Sequence, residues 1–245
     1  MQLTFRQPLL ITLMLCAVSL TAQEYRYELG GYVGAASYLG NANRRIPFVP
    51  IGGTGGAAFR YNHNFRLAFS GELGYSFLPF DCRYAQTDYP QVREVSQATR
   101  GASHLLALNG WVEYNFAHYS DKFRYLQTRS LVPYIGAGLS VGTTLSGYKM
   151  AILPGAGIKT GIKYKLRNRL NLIAALQGIY YLSSHLDTPT GQTAWLNNPY
   201  GMPVDWIKGG DATIGLIVSI TYEFGKRSEP CHGSDSYPNW QTPKR

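Results

Sequence analysis

Phe65-Arg66-Leu67-Ala68-Phe69-Ser70-Gly71-Glu72-Leu73-Gly74-Tyr75-Ser76-Phe77 alternates residue by residue. One face carries Phe65, Leu67, Phe69, Leu73, Tyr75 and Phe77; the other carries Arg66, Ala68, Ser70, Glu72, Gly74 and Ser76. That period of two belongs to an extended strand, and it outlasts the mean strand of about 5–6 residues. The polar face is unlike one that meets bulk water. It holds small residues with single charges of both signs, which suits the inside of a narrow barrel whose apolar outside meets lipid.

The same pattern spreads outward in both directions. Leu106, Leu108, Val112, Tyr114 and Phe116 oppose Asn109, Trp111, Glu113 and Asn115, and Ile135, Ala137, Leu139 and Val141 oppose Tyr134, Gly136, Gly138 and Ser140. Ile152, Ala156, Ile158, Ile162 and Tyr164 oppose Gly155, Gly157, Lys159, Gly161, Lys163 and Lys165. Leu170, Leu172, Ala174, Leu176, Tyr180 and Leu182 form a further apolar face, and Ala212 to Phe224 alternates to the end. Glycine blurs the count at Tyr25 to Tyr38 and Gly52 to Asn62. About eight segments of roughly 10 residues result, the length of tilted strands that cross a bilayer. The fold expected is all-β: an eight-stranded antiparallel transmembrane β-barrel of the outer-membrane type with a filled interior.

The connections sort by length. Asn62-His63-Asn64 and Leu166-Arg167-Asn168 are tight turns, whereas Leu39 to Ile51, Leu78 to Arg100 and Ser183 to Gly210 are long. Short turns on the periplasmic side and long loops outside are the outer-membrane arrangement. Ala117 to Arg129 breaks the rule as a long excursion on the short side, and Ser146 to Met150 as a short link on the long side. Tyr25, Tyr27, Phe65, Tyr114, Phe116, Tyr222 and Phe224 are expected in one interfacial girdle, and Tyr38, Tyr75, Phe77 and Tyr180 in the other.

Composition narrows the alternatives. The chain has 245 residues, 13% aromatic and only 15% charged, with 27 Gly and 19 Tyr. Plentiful aromatics argue against disorder, and so much glycine argues against a helical bundle. Arg6 followed by the apolar run from Leu9 to Val18 and by Ala22 reads as a cleaved secretory signal. The expected division is therefore 1–22 signal peptide, 23–225 barrel and 226–245 periplasmic tail, with the mature chain in the outer membrane. The formal charge is +9, but the Lys and Arg are scattered and the chain is exported, so nucleic acid is not an expected partner. Outer-membrane lipid and lipopolysaccharide are.

Several residue groups invite a chemical reading. Gly136-x-Gly138-x-x-x-Gly142 and Gly155-x-Gly157-x-x-x-Gly161 lack the spacing of nucleotide loops and are expected to make room for Tyr134, Trp111 and interior lysines. Arg60, Arg66, Glu72, Glu113, Lys159, Lys163 and Glu223 are expected inside as a salt-bridged plug, because buried charges must be paired. Ser103-His104, and Ser183-Ser184-His185 with Asp187, would be the places for a lipid-modifying hydrolase, but these residue types also frequent loops. The loop with Trp195 and Trp206 is expected to fold over the mouth as a lid. No catalytic, cofactor or metal site is assigned, and the chain is read as a non-enzyme.

The mature chain resembles the PorG-like outer-membrane barrels of the type IX secretion system. The resemblance lies in Tyr27-Glu28-Leu29-Gly30-Gly31, Ser37-Tyr38-Leu39-Gly40-Asn41, Phe59-Arg60-Tyr61-Asn62, Val132-Pro133-Tyr134-Ile135-Gly136-Ala137-Gly138, Pro154 to Leu166, and Tyr222 to Gly225 with a tail containing Cys231. It implies a structural subunit that docks a periplasmic ring of a lipoprotein and an associated subunit. The contact candidates are Phe123, Arg124 and Tyr125 in the excursion, and Cys231 in the tail. Cys82, in an outer loop, is expected to lie across the bilayer from Cys231, too far for a disulfide, which leaves Cys231 for a bond or docking contact with a partner. The alternative is a porin-like or adhesin-like barrel acting through its outer loops.

Overall fold

A computed structural model describes residues 25–40, 43, 46–81, 100–119, 129–145, 152–167, 169–183, 185–186 and 210–227. Eight strands follow one another: β1 (Tyr25–Leu39), β2 (Gly52–Asn62), β3 (Leu67–Asp81), β4 (Arg100–Asn115), β5 (Leu131–Thr144), β6 (Ile152–Arg167), β7 (Leu170–Tyr181) and β8 (Ala212–Arg227). Each pairs antiparallel with its sequence neighbours, and β1 pairs with β8 from Tyr25↔Arg227 to Leu39↔Ala212, so the sheet closes on itself. Closure leaves no edge strand, which is the condition for a sheet in hydrocarbon. The fold is an all-β, closed eight-stranded antiparallel barrel with a filled interior.

An even strand number puts the start of β1 and the end of β8 at one end, called here the termini rim. The connections after β1, β3, β5 and β7 belong to the opposite end, the loop rim. The alternation read from the sequence holds in register. Leu67↔Tyr114, Phe69↔Val112 and Leu73↔Leu108 all point outward, while Ser70↔Trp111 and Glu72↔Asn109 point inward. Outward side chains such as Val33, Leu108, Leu139, Ile152 and Ile158 are more than half exposed, against near-complete burial of Tyr134, Leu153 and Lys163 inside. A water-soluble chain would hide these residues; a continuous apolar belt of this kind is matched by lipid.

Four placements differ from the sequence reading. Leu78 to Asp81, expected as the start of a long loop, instead extend β3, with Leu78 and Phe80 buried inside the barrel. Arg66 does not enter the lumen: β3 begins at Leu67, and Arg66 stands exposed in the preceding turn. Phe65, expected in the outer girdle, is buried in that turn against His118. For both, the alternation runs one or two residues past the point where the strand supports it. Tyr38 has inward parity on β1 and lies inside, edge-on to Phe80. The glycines of β1 hide that parity in the sequence.

Candidate functional site

The lumen is built in two layers. Towards the termini rim and the middle, Glu28, Glu72, Glu113 and Glu223 meet Arg60, Lys159, Lys163 and Lys165, and all eight are buried. Four acids balance four bases, so the layer carries no net formal charge. Arg60 contacts Glu28 at 2.8 Å and Glu113 at 3.0 Å, and Lys163 reaches Glu113 at 2.7 Å. Lys159 pairs with Glu72, and Lys165 with Glu223 at 3.0 Å.

The carboxylates are further satisfied by neutral donors. Thr221 and Asn62 donate to Glu28 at 2.8 and 2.7 Å, Ser70 to Glu113 at 2.6 Å, and the Trp111 indole to Glu72 at 3.0 Å. Asn171 donates to Glu223 at 2.8 Å and accepts from the Tyr119 hydroxyl at 2.9 Å. Buried charges are tolerable only when paired and hydrogen-bonded in this way.

Towards the loop rim the filling changes to Ala36, Tyr38, Leu78, Phe80, Leu105, Leu153, Ile179, Tyr181 and Leu186. Leu186 comes from beyond β7 and is held by its backbone N–H, which donates to Asp211 Oδ2 at 3.0 Å; Tyr38 donates to Asp211 Oδ1 at the same distance. Trp111 sits where the layers meet. A Cβ at Gly138 would fall 2.6 Å from its ring and one at Gly157 3.1 Å from it. These two glycines make the room the indole occupies, which answers their sequence pattern without a nucleotide. A cavity of about 20 Å³ remains beside Tyr32, Asn109, Gln177 and Tyr181, room for a single water beside the otherwise unpartnered Gln177 Oε1.

The salt-bridged plug expected from the sequence is formed by Arg60, Glu72, Glu113, Lys159, Lys163 and Glu223, with Arg66 the exception. Sequence reasoning misses Glu28, although it lies between outward Tyr27 and Leu29, because Gly30 and Gly31 obscure the alternation. It misses Tyr119 for a different reason. That side chain reaches the lumen from the excursion after β4, and no periodicity marks a residue in a loop.

The Ser/His pairs do not form an active site together. Ser103 points into the barrel and is buried, whereas His104 points out and lies beside Tyr75 and Phe77. Neighbours on a strand face opposite sides, so these two cannot share a proton. Ser183 Oγ and His185 Nδ1 do approach to 2.8 Å; Ser184 and Asp187 lie outside the described residues. Among the described residues no group of three or more His, Cys, Asp and Glu is placed to hold a metal ion. Phe123, Arg124, Tyr125, Cys231, Cys82, Trp195 and Trp206 also lie outside the described residues.

The termini rim presents arginine and tyrosine outward. Arg66 donates to the Tyr114 hydroxyl and Arg169 to the Tyr222 hydroxyl, each at 3.2 Å. Arg169 also lies 4.8 Å over the Tyr25 ring. Hydrogen bonds from Arg169 to Tyr222 and Tyr25 hold its pKa above the ordinary value. Partial burial and the nearby Arg66 charge hold His118 below the usual histidine range.

No protein-family model matches the chain, and no curated protein matches it. Among solved structures it is similar to Neisserial surface protein A, at 14% identity and a TM-score of 0.44, covering 83% of this chain and 100% of that one. It is similar to Ail, the attachment invasion locus protein of Yersinia pestis, in complex with the heparin analogue sucrose octasulfate, at 11% identity and a TM-score of 0.41, covering 83% of this chain and 100% of that one. OprG, an outer-membrane protein of Pseudomonas aeruginosa, shows 10% identity and a TM-score of 0.42, over 83% of this chain and 98% of that one.

Proposed function

We propose that this chain is an outer-membrane barrel that works through its surfaces, an adhesin-like protein whose outer loops make contacts while its lumen stays shut. The observation that carries this reading is the balanced lattice of Glu28, Glu72, Glu113 and Glu223 with Arg60, Lys159, Lys163 and Lys165, capped by the apolar layer at the loop rim. A porin needs a water-lined path, and the interior of an eight-stranded barrel is narrow enough for side chains to fill, as they do here. The lipid-matched belt and the signal-like first 22 residues support export to the outer membrane. With the lumen occupied by its own side chains, binding falls to the loops at 40–51, 82–99, 145–151 and 182–211.

A second reading is a structural subunit of a type IX-like secretion machine that docks a periplasmic ring. It is supported by the sequence resemblance and by the excursion after β4, which anchors at the termini rim through Tyr119 and a bridge from Tyr119 to Arg129. In this reading Phe123, Arg124, Tyr125 and Cys231 face the partner.

One complementation experiment separates the two. A strain lacking the gene receives the full chain, a chain with residues 40–51, 82–99 and 183–210 replaced by short turns, or Cys231→Ser. The adhesin-like reading expects cell attachment to be lost with the trimmed loops while secreted cargo is unchanged throughout. Attachment restored by the trimmed chain contradicts it. Secretion that fails on deletion, returns with the trimmed chain and falters in Cys231→Ser establishes the second reading instead.

A further inference from the structure

The termini rim carries the same arrangement twice, on opposite sides of the barrel. Arg66 precedes Leu67, the first residue of β3, and Leu67 pairs with Tyr114 on β4. Arg169 precedes Leu170, the first residue of β7, and Leu170 pairs with Tyr222 on β8. The backbone repeats as well: Asn115 N–H donates to Arg66 O, and Glu223 N–H donates to Arg169 O, both at 2.7 Å. In each copy the arginine reaches a tyrosine hydroxyl on the neighbouring strand at 3.2 Å. An outward tyrosine also flanks each copy from the preceding strand, Tyr61 opposite Phe69 and Tyr164 opposite Leu172. Four strands separate the copies in an eight-strand ring, so they stand diametrically opposed.

We propose that these two arginine–tyrosine clamps are binding sites for the phosphodiester headgroups of phospholipids in the leaflet that meets the termini rim. Both arginine side chains are exposed. A guanidinium has five N–H donors in a planar fork that matches a phosphate; the tyrosine hydroxyl on the neighbouring strand occupies one of them and fixes the fork's direction, and at Arg169 Tyr25 takes a further one. Around the clamps, the acids of this end of the barrel, Glu28, Glu113 and Glu223, all point inward and are neutralised there. Among the described residues, no outward carboxylate competes for either arginine at this rim. Immediately above the clamps, Leu67 and Phe69 in one copy and Leu170 and Leu172 in the other begin the apolar wall. A ligand that satisfies both the fork and the wall has an anionic phosphate at one end and acyl chains at the other. This favours a lipid over free phosphate.

The inference rests on the membrane-spanning part of the functional reading and is independent of what the outer loops do. The test uses the full mature chain, folded in an uncharged maltoside detergent and titrated with phosphatidylglycerol, with native mass spectrometry counting retained lipids. Heat-modifiable electrophoretic migration reports folding separately, so a variant that fails to form the barrel is recognised as such. The expected result is two retained lipids for the wild type, one for Arg66→Gln or Arg169→Gln, and none for the double variant. Tyr114→Phe and Tyr222→Phe keep the charge but release the fork, and each is expected to weaken retention at its own site by about two- to tenfold. A folded double variant that keeps two lipids overturns the proposal. Displacement of the lipid by inorganic phosphate at equal concentration overturns the choice of lipid as the ligand.

Discussion

Glu113 is the residue on which the lumen turns. It accepts from Arg60 at 3.0 and 3.2 Å, from Lys163 at 2.7 Å and from Ser70 at 2.6 Å, and it is completely buried. Removing it leaves Arg60 and Lys163 facing each other with too few acids, an uncompensated buried charge that costs about 3–5 kcal/mol. Glu113→Ala is therefore expected to destabilise the folded barrel in lipid by that amount, read from its urea midpoint. Adding Lys163→Met to the same chain removes one of the stranded charges and should recover part of the loss. If the two chains unfold at the same urea concentration as wild type, the lattice is not what holds the lumen together.

At the scale of the strand, parity decides the arrangement. One face of β4 reads Leu106, Leu108, Gly110, Val112 and Tyr114 to lipid, and the other reads Leu105, Ala107, Asn109, Trp111 and Glu113 to the lumen. Leu108 is 59% exposed near the middle of the belt. Arginine at the bilayer midplane costs about 2–4 kcal/mol on an outward position, so Leu108→Arg should destabilise the barrel by that much. The same change at Phe116, beyond the end of β4, should cost at most about 1 kcal/mol. Equal effects at the two positions, read as shifts in unfolding midpoint, would show that the belt does not face hydrocarbon.

This parity is also why most of the fold is legible in the sequence. Strands such as β3, β4, β6 and β8 declare their faces by residue type alone, and the charges on their inner faces, Glu72, Glu113, Lys159, Lys163 and Glu223, can be assigned from them. Where the inner face is itself apolar the signal weakens. On β7, Ile173, Ala175, Ile179 and Tyr181 point inward as Leu172, Ala174 and Leu176 point outward. Long-range features have no local signature. Asp211 joining Tyr38 and Leu186, or Tyr119 closing the termini end on Asn171, depends on side chains far apart in sequence meeting in one lumen. Nor does residue type reveal the paired arginine clamps, since Arg66 reads equally well as an inward residue of β3 until the strand's start is known.

For the whole molecule, the two layers act in series. A solute entering at the loop rim meets Tyr38, Phe80, Leu153 and Tyr181, then the Trp111 indole, and then a neutral lattice of ion pairs. The cavity of about 20 Å³ beside Gln177 lies among these filling residues and has room for one water. The proposed placement of function at the surfaces rests on this filling. The most direct test is single-channel recording of the full mature chain, folded and inserted into a planar lipid bilayer. The expected record is a flat baseline without stable conductance steps, and reproducible steps of fixed amplitude from the wild-type chain would contradict the closed lumen.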